Sequence, residues 1–137
     1  MSQYGFELTA LPVKWSTGDK EHEAWTFNGT VPGPQIRVKE GDRVRVIVKN
    51  KLPEPTVVHW HGMHVTNAMD GVPMVTQDPI PPGGEFVYEF VAKPSGTHMY
   101  HTHFNVLKQE GKGLFGTLIV EPREPEPWSY DKEYSLM

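Results

Sequence analysis

Apolar and polar residues alternate along several short segments of the chain, and each segment ends at a turn. Between residues 35 and 50, valine and isoleucine alternate with charged residues on both sides of a turn at Gly41-Asp42. A period of two is typical of strands that bury one face. The pattern therefore predicts a half-buried β-hairpin over residues 35–50.

Six further runs are short, rich in β-branched or aromatic residues, and bounded by turn residues. They read YGFELTA, EAWTFNG, TVVHWHG, EFVYEFVA, GTHMYHTHF and GTLIVEP. None has the length or the period of a long amphipathic helix, and the chain contains thirteen glycines and thirteen prolines. Seven or eight short strands separated in this way predict an all-β fold, either a Greek-key β-sandwich or a small barrel.

The length of 137 residues corresponds to one domain. After residue 122 the composition changes to a proline-rich and charged run, and the last residues become apolar again. We therefore assign residues 1–122 to the domain and residues 123–137 to a linker or to the start of a following segment.

Charge and composition exclude several functional classes. The net charge is −4 and the basic residues are scattered, so nucleic acid is not an expected partner. No apolar stretch is long enough for a membrane span, and the first residues show no export signal, which leaves the compartment open. The absence of cysteine excludes disulfides, thiolate nucleophiles and metal–thiolate bonds within this chain.

Two His-x-His pairs are the candidate chemistry: His59 with His61, and His101 with His103. Successive strand residues point to opposite faces, so both members of a pair project from one face, with backbones about 6.5–7 Å apart. Each pair can converge on one metal or serve two neighbouring metals. If the two strands are adjacent, four imidazoles line one patch. Such a set suits copper(II) or zinc and is a poor site for magnesium or calcium.

The other three histidines are expected to have structural or solvated roles. His22 is remote in sequence, His64 follows Gly62 outside the strand, and His98 is predicted to point to the opposite face from His101. Single histidines in β-proteins are mostly surface or hydrogen-bonded residues. We therefore exclude these three from the predicted metal site.

Four methionines lie near the histidine pairs in sequence: Met63, Met69, Met74 and Met99. Thioethers are soft ligands that favour copper(I). Methionine also fills irregular spaces in cores, and packing is the interpretation that we favour for these four.

Three blocks of the sequence occur together in a characteristic order. They are H-W-H-G at residues 59–62, D-G-V-P at residues 70–73, and the second His-x-His pair in GTHMYHTHF. With the surrounding residues they resemble the N-terminal cupredoxin domain of multicopper oxidases, the family of laccases and bacterial copper-resistance oxidases. The resemblance covers nearly the whole chain and implies a cupredoxin-like Greek-key β-sandwich.

The resemblance also implies copper as the cofactor and gives each site residue a role. His59 would bind the type 2 copper, His61 and His101 would share one copper of the type 3 pair, and His103 would bind the other. Asp70 matches an acid that hydrogen-bonds solvent near the type 2 copper and assists proton delivery during dioxygen reduction. Asp70 also precedes Gly71, and Asp-Gly is a turn signal in its own right.

A complete oxidase of this family needs more than this chain contains. Electrons enter at a type 1 copper bound by a cysteine, and dioxygen is reduced at three coppers held by eight histidines. This chain supplies four of those histidines and no cysteine. In the family, the other four come from a C-terminal cupredoxin domain. We therefore expect the isolated chain to be inactive or weakly active as an oxidase.

Three functional hypotheses follow. In the first, the chain is a laccase-like oxidase domain whose half-site is completed by another cupredoxin domain, with dioxygen as the substrate of the completed cluster. In the second, it is a stand-alone copper-binding module for storage, delivery or resistance, whose site is complete in itself or formed between identical chains, with a trimer as the first guess and a dimer as the second. In the third, the histidines hold a hydrolytic zinc ion.

Overall fold

Two four-stranded sheets pack face to face in the computed structural model, which describes residues 1–137. The strands are β1 (Gln3–Thr17), β2 (Lys20–Phe27), β3 (Ile36–Lys39), β4 (Arg43–Asn50), β5 (His59–His61), β6 (Glu85–Val91), β7 (Gly96–His101) and β8 (Phe115–Glu121). Their order is β2-β1-β4-β6 in the first sheet and β3-β8-β7-β5 in the second. Because the chain repeatedly crosses between the sheets, as in a Greek key, the predicted all-β sandwich is confirmed.

Helices are minor elements of the fold. A 3-10 helix covers Asn67–Met69, and α1 covers Val106–Gln109. Neither has the length and hydrophobicity that a membrane-crossing helix requires.

The residues after β8 lie along the outside of the second sheet. Residues 122–137 form neither strand nor helix. An ion pair joins Arg37 to Glu133, and the side-chain amide of Gln35 donates a hydrogen bond of 2.8 Å to the hydroxyl of Ser135. These two contacts hold the tail against the segment around β3.

β1 is much longer than the sequence pattern predicted, because it serves two partners in succession. Residues 3–10 pair with β4 in parallel, and residues 10–17 pair with β2 in an antiparallel hairpin. The predicted run covered only residues 4–10. The second half of β1 is exposed on most of its side chains, so its strand conformation comes from hydrogen bonding to β2 more than from burial.

The predicted hairpin over residues 35–50 is wrong in its pairing, although both strands and the turn are present. β3 pairs with β8, whereas β4 pairs with β1 and β6 in the other sheet. The turn therefore carries the chain from one sheet to the other. Alternation reports which side chains of a strand face the core, and it is the same whether the partner strand is the next one or a distant one.

The core lies between the sheets and fixes which face of β5 and of β7 is buried. It contains 21 buried residues from both sheets. Trp60 on β5 and Tyr100 on β7 are both fully buried there, and these two residues are opposite each other in the β5–β7 ladder. The neighbours of Trp60 and Tyr100 along each strand consequently point out of the core.

Candidate metal centre

Three of the predicted histidines come together on adjacent strands. His59 and His61 are the ends of β5, and His101 is the last residue of β7, directly opposite His59. Their ring centroids are 5.4–5.7 Å apart. One ring nitrogen from each lies within 4.8 Å of the others, which is the spacing of groups that can share or bridge metal ions.

Hydrogen bonds to backbone carbonyls orient two of these rings. Nδ1 of His59 lies 2.6 Å from the carbonyl oxygen of Asp70, and Nδ1 of His101 lies 2.7 Å from that of Thr102. A carbonyl oxygen only accepts, so in each neutral ring the proton is on Nδ1 and donates that bond. The Nε2 lone pair of each ring is then free. This is the arrangement that metal-binding histidines typically show.

His61 faces His101 through Nδ1, whereas His59 and His101 use Nδ1 for their bonds to backbone carbonyls. Nδ1 of His61 lies 3.2 Å from Nε2 of His101. Two nitrogens that each bind one metal at about 2.0–2.1 Å in tetrahedral geometry are about 3.3 Å apart. The pair is therefore spaced as two ligands of one ion, and the imidazole-only donor set fits copper.

Burial favours the metal-binding form of His101. Burial lowers the pKa of its imidazole, and this effect outweighs the nearby carboxylate of Glu110, whose Oε2 lies 3.9 Å from Nδ1. A neutral imidazole is the form that binds metals. His59 is half-buried and His61 is exposed, so the cluster opens to the surface on the His61 side.

His103 lies beside the cluster but is not part of the group whose ring nitrogens are all within 4.8 Å of one another. Its ring centroid is 5.5 Å from that of His59 and 6.3 Å from that of His101. β7 ends at His101, and the side chain of His103 is exposed. The predicted patch of four imidazoles thus consists of a tight group of three with the fourth at its edge.

The Asp70-Gly71 turn packs against the strand that carries His59. Gly71 has φ +70°, and a Cβ there would lie 1.8 Å from the carbonyl oxygen of Val58. Only glycine permits this approach. The contact brings the carbonyl of Asp70 to His59, and the Asp70 carboxylate is then 3.5 Å from Nδ1 of the same ring.

Gly62 of the H-W-H-G block also lies where a side chain would clash with a neighbour. It has φ +88°, and a Cβ there would lie 2.7 Å from Nδ1 of His98. His98 is therefore packed under the turn that follows His61, with its Nε2 hydrogen-bonded 2.9 Å from the carbonyl oxygen of Pro94. His22 and His64 are exposed and lie outside the cluster.

The four nearby methionines differ in environment. Met63 is buried in the core, and Met69 is partly buried and packs against the core. Met99 is half-buried, whereas Met74 is 79% exposed and has φ +64°. The packing interpretation therefore does not hold for Met74.

A buried polar group behind the histidines was not found from the sequence. Thr56, Thr102 and Gln109 are fully buried and hydrogen-bonded to one another. Thr102 is the residue between His101 and His103. The one available signal was a glutamine within an otherwise surface-like run after the second His-x-His pair, and such a residue is not distinguishable by pattern from an exposed one.

Comparison with known proteins places this site in a family. The profile described as "Multicopper oxidase" matches residues 10–125. Copper resistance protein A of Escherichia coli is 42% identical over 132 residues, which are 96% of this chain and 22% of that protein. Laccase-1 of Botryotinia fuckeliana is 46% identical over 136 residues, which are 97% of this chain and 24% of that protein. The chain thus spans about a quarter or less of the length of these relatives.

Solved structures agree with the sequence relatives. The multi-copper oxidase from Pseudomonas Thermotolerans aligns with a TM-score of 0.89 at 42% identity, over 92% of this chain and 31% of that one. The Blue Copper Oxidase from Nitrosomonas europaea gives the same TM-score and identity, over 92% of this chain and 41% of that one. The predicted cupredoxin-like fold is confirmed, and the chain belongs to the multicopper oxidase family.

Proposed function

We propose that this chain is the domain that supplies half of the trinuclear copper site of a multicopper oxidase. The observation that carries the proposal is the group of His59, His61 and His101, whose ring nitrogens lie within 4.8 Å of one another on adjacent strands of a multicopper oxidase fold. In this proposal residues 1–122 are the copper-binding domain and residues 123–137 connect it to a following segment.

Each histidine has a proposed ligand role that its geometry supports. His61 through Nδ1 and His101 through Nε2 would hold one type 3 copper, since these two atoms are 3.2 Å apart. His59 would hold the type 2 copper through Nε2, because its Nδ1 is engaged by Asp70. His103, at the exposed edge of the group, would hold the second type 3 copper.

Bound copper would supply electron transfer to dioxygen, and the chain's own residues would control geometry and protons. The carbonyls of Asp70 and Thr102 orient the rings of His59 and His101. The carboxylate of Asp70 is partly exposed and lies 3.5 Å from Nδ1 of His59, which places it between solvent and the site. Asp70 is therefore the proposed proton-delivering acid.

Completion of the site requires further ligands from outside this half-site. Three clustered imidazoles and one peripheral imidazole leave coordination positions open for three coppers, and His61 and His103 are exposed. Another cupredoxin domain is the proposed partner, and dioxygen is the proposed substrate of the completed cluster.

A stand-alone copper-binding module is the alternative, with the site shared between identical chains in a trimer or, as the second choice, a dimer. The exposure of His61 and His103 is compatible with this arrangement as well. Light scattering with and without copper separates the two proposals. Copper-dependent assembly of the purified chain supports the module, and a monomer under both conditions supports a half-site that awaits a different domain.

The experiment that tests the copper site is a copper titration of the purified chain and two double variants. His59→Ala with His101→Ala should reduce copper binding by at least about tenfold, because it removes both oriented Nε2 ligands. His22→Ala with His98→Ala is the matched control and should leave binding within about twofold. Equal losses in the two double variants would contradict the assignment, and zinc in place of copper after growth without added metal would support a hydrolytic site instead.

A further inference from the structure

The side chain of Gln109 lies fully buried between the segments that carry the two histidine pairs. Its Oε1 accepts hydrogen bonds from the hydroxyls of Thr56, at 2.8 Å, and Thr102, at 2.7 Å. Its Nε2 donates to the carboxylate of Glu54, at 2.9 Å, and to the carbonyl of Pro55, at 2.8 Å. A carboxamide has two acceptor and two donor positions, and all four are used.

The partners allow only one orientation of this amide. The carbonyl of Pro55 and an ionised carboxylate at Glu54 are acceptors only, so the NH2 group must face them. The ammonium of Lys108 donates a hydrogen bond of 2.6 Å to the Glu54 carboxylate. This bond is the largest of the effects that hold the pKa of Glu54 below its ordinary value. Oε1 of Gln109 is consequently directed at the two threonines.

Both threonines belong to segments that end in metal-site histidines. Thr56 lies three residues before His59, and Thr102 separates His101 from His103. The carbonyl of Thr102 accepts the Nδ1 proton of His101 at 2.7 Å. The position of Thr102 therefore determines which nitrogen of His101 is free.

We propose that Gln109 is a positioning residue that joins the two histidine pairs: it holds Thr102 so that the Thr102 carbonyl keeps His101 in the Nδ1-protonated tautomer, with Nε2 facing His61. The inference rests on the proposed copper site. It adds a residue that contacts no ligand histidine and acts through the hydroxyls of Thr56 and Thr102.

Removal of the Thr102 hydroxyl is the sharpest test, because valine has nearly the same shape as threonine and lacks the hydroxyl. Thr102→Val removes the hydroxyl's bonds to Gln109 and to the backbone amide of Phe104, and Thr102→Ser retains both. Thr26→Val is the matched control, since Thr26 is also fully buried and its hydroxyl bonds the carbonyl of Leu11 and the amide of Gly29, both at 3.0 Å, on the other sheet. Gln109→Met removes the carboxamide that accepts this hydrogen bond from Thr102.

Two measurements on the full chain read the outcome. Nitrogen NMR of the metal-free protein reports the tautomer of His101, and titration with copper(II) reports affinity. We expect Thr102→Val and Gln109→Met each to shift His101 away from a single Nδ1-protonated form and to weaken copper binding by about tenfold. Thr102→Ser and Thr26→Val should retain the tautomer and bind copper within about twofold of the parent chain.

The effects of Gln109→Met and Thr102→Val on copper affinity should be less than additive in the double variant, because both remove the hydrogen bond between Thr102 and Gln109. An unchanged His101 tautomer in Thr102→Val would overturn the proposal, as would equal effects of Thr26→Val and Thr102→Val on copper affinity. If the parent chain binds no copper, the proposed function fails, and the tautomer measurement on metal-free protein still decides the role of Gln109. If Gln109→Met does not fold, Thr102→Val decides it.

Discussion

Gly71 lies directly against the peptide carbonyl of Val58, so closely that a Cβ atom at Gly71 would be 1.8 Å from the carbonyl oxygen. Real atoms cannot approach to that distance, and the contact exists because Gly71 has no side chain. It fixes the turn that brings the Asp70 carbonyl to Nδ1 of His59. A contact that involves none of the clustered histidines thus determines the orientation of His59.

Replacing Gly71 with alanine should therefore harm both stability and metal binding. Strain at positive φ and the clash with Val58 together should lower the free energy of unfolding by about 3 kcal/mol or more. Thermal unfolding and copper titration measure the two effects.

Gly83→Ala is a closely matched control. Gly83 has φ +80°, similar to Gly71, but a Cβ there would have no neighbour within 4 Å. The Gly83→Ala variant should lower the free energy of unfolding by about 1–2 kcal/mol, from backbone strain alone, and should bind copper as the parent chain does. A Gly71→Ala variant that unfolds at the same temperature as Gly83→Ala would show that the Val58 contact is relieved at little cost.

The fold was largely predictable because each strand buries one face. Alternating, β-branched or aromatic runs located at least part of each of the eight strands, including the short β5 with Trp60 buried between two outward histidines. The pairing of β3 and β4 was not predictable, since the turn at Gly41-Asp42 can close a hairpin or cross between sheets. In the structure, the carboxylate of Asp42 in this turn accepts a hydrogen bond from Arg123, 81 residues away in sequence, and such a distant partner cannot be read from the local pattern.

The grouping of the histidines was predictable and the residues that support it were not. Two His-x-His pairs predict a metal site because strand alternation places each pair on one face. Thr102 and Gln109 carry no comparable pattern, since their importance arises from partners that the fold brings together. The position of His103 at the edge of the group of three depends on where β7 ends, and nothing in the sequence marks that end.

Asp42 gives a pH-dependent prediction for stability. Its buried carboxylate receives Nη2 of Arg123 at 2.9 Å and the backbone amides of Ser2 and Lys39, both at 3.1 Å. These donors, chiefly Arg123, hold the pKa of the Asp42 carboxyl below its ordinary value. A depressed folded-state pKa contributes stability above the unfolded-state pKa, and this contribution is lost as the pH falls through the folded-state pKa.

Asp42→Asn should accordingly lower the Tm by several degrees at pH 7, because the substitution removes the charge and turns an NH2 group toward hydrogen-bond donors. The difference in Tm between parent and variant should shrink as the pH falls below about 4. Thermal unfolding from pH 7 to pH 2 measures it. Asp19→Asn, at an exposed turn between β1 and β2, should have little effect throughout. A difference for Asp42→Asn that grows in acid would contradict the assigned role of the carboxylate.

The remaining prediction concerns the spectrum and activity of the copper-loaded chain. The chain has no cysteine, and a copper–thiolate bond is the source of the intense colour of blue copper centres. The 137-residue chain loaded with copper should therefore be pale. Electron paramagnetic resonance should show copper(II) bound by imidazole nitrogens, except where paired coppers couple and become silent. An intense blue band would contradict this prediction.

Turnover of a phenolic substrate by the same sample should be weak or absent. Without a cysteine-bound copper, electrons have no relay into the histidine cluster, and reduction then requires direct encounter of the phenol with the surface at His61, the exposed side of the group. Oxygen consumption with a phenol measures this rate. Any residual activity should fall further in His59→Ala with His101→Ala and remain in His22→Ala with His98→Ala. Rapid turnover that persists without His59 and His101 would show that the activity does not arise from this cluster, and that the half-site interpretation of the chain is wrong.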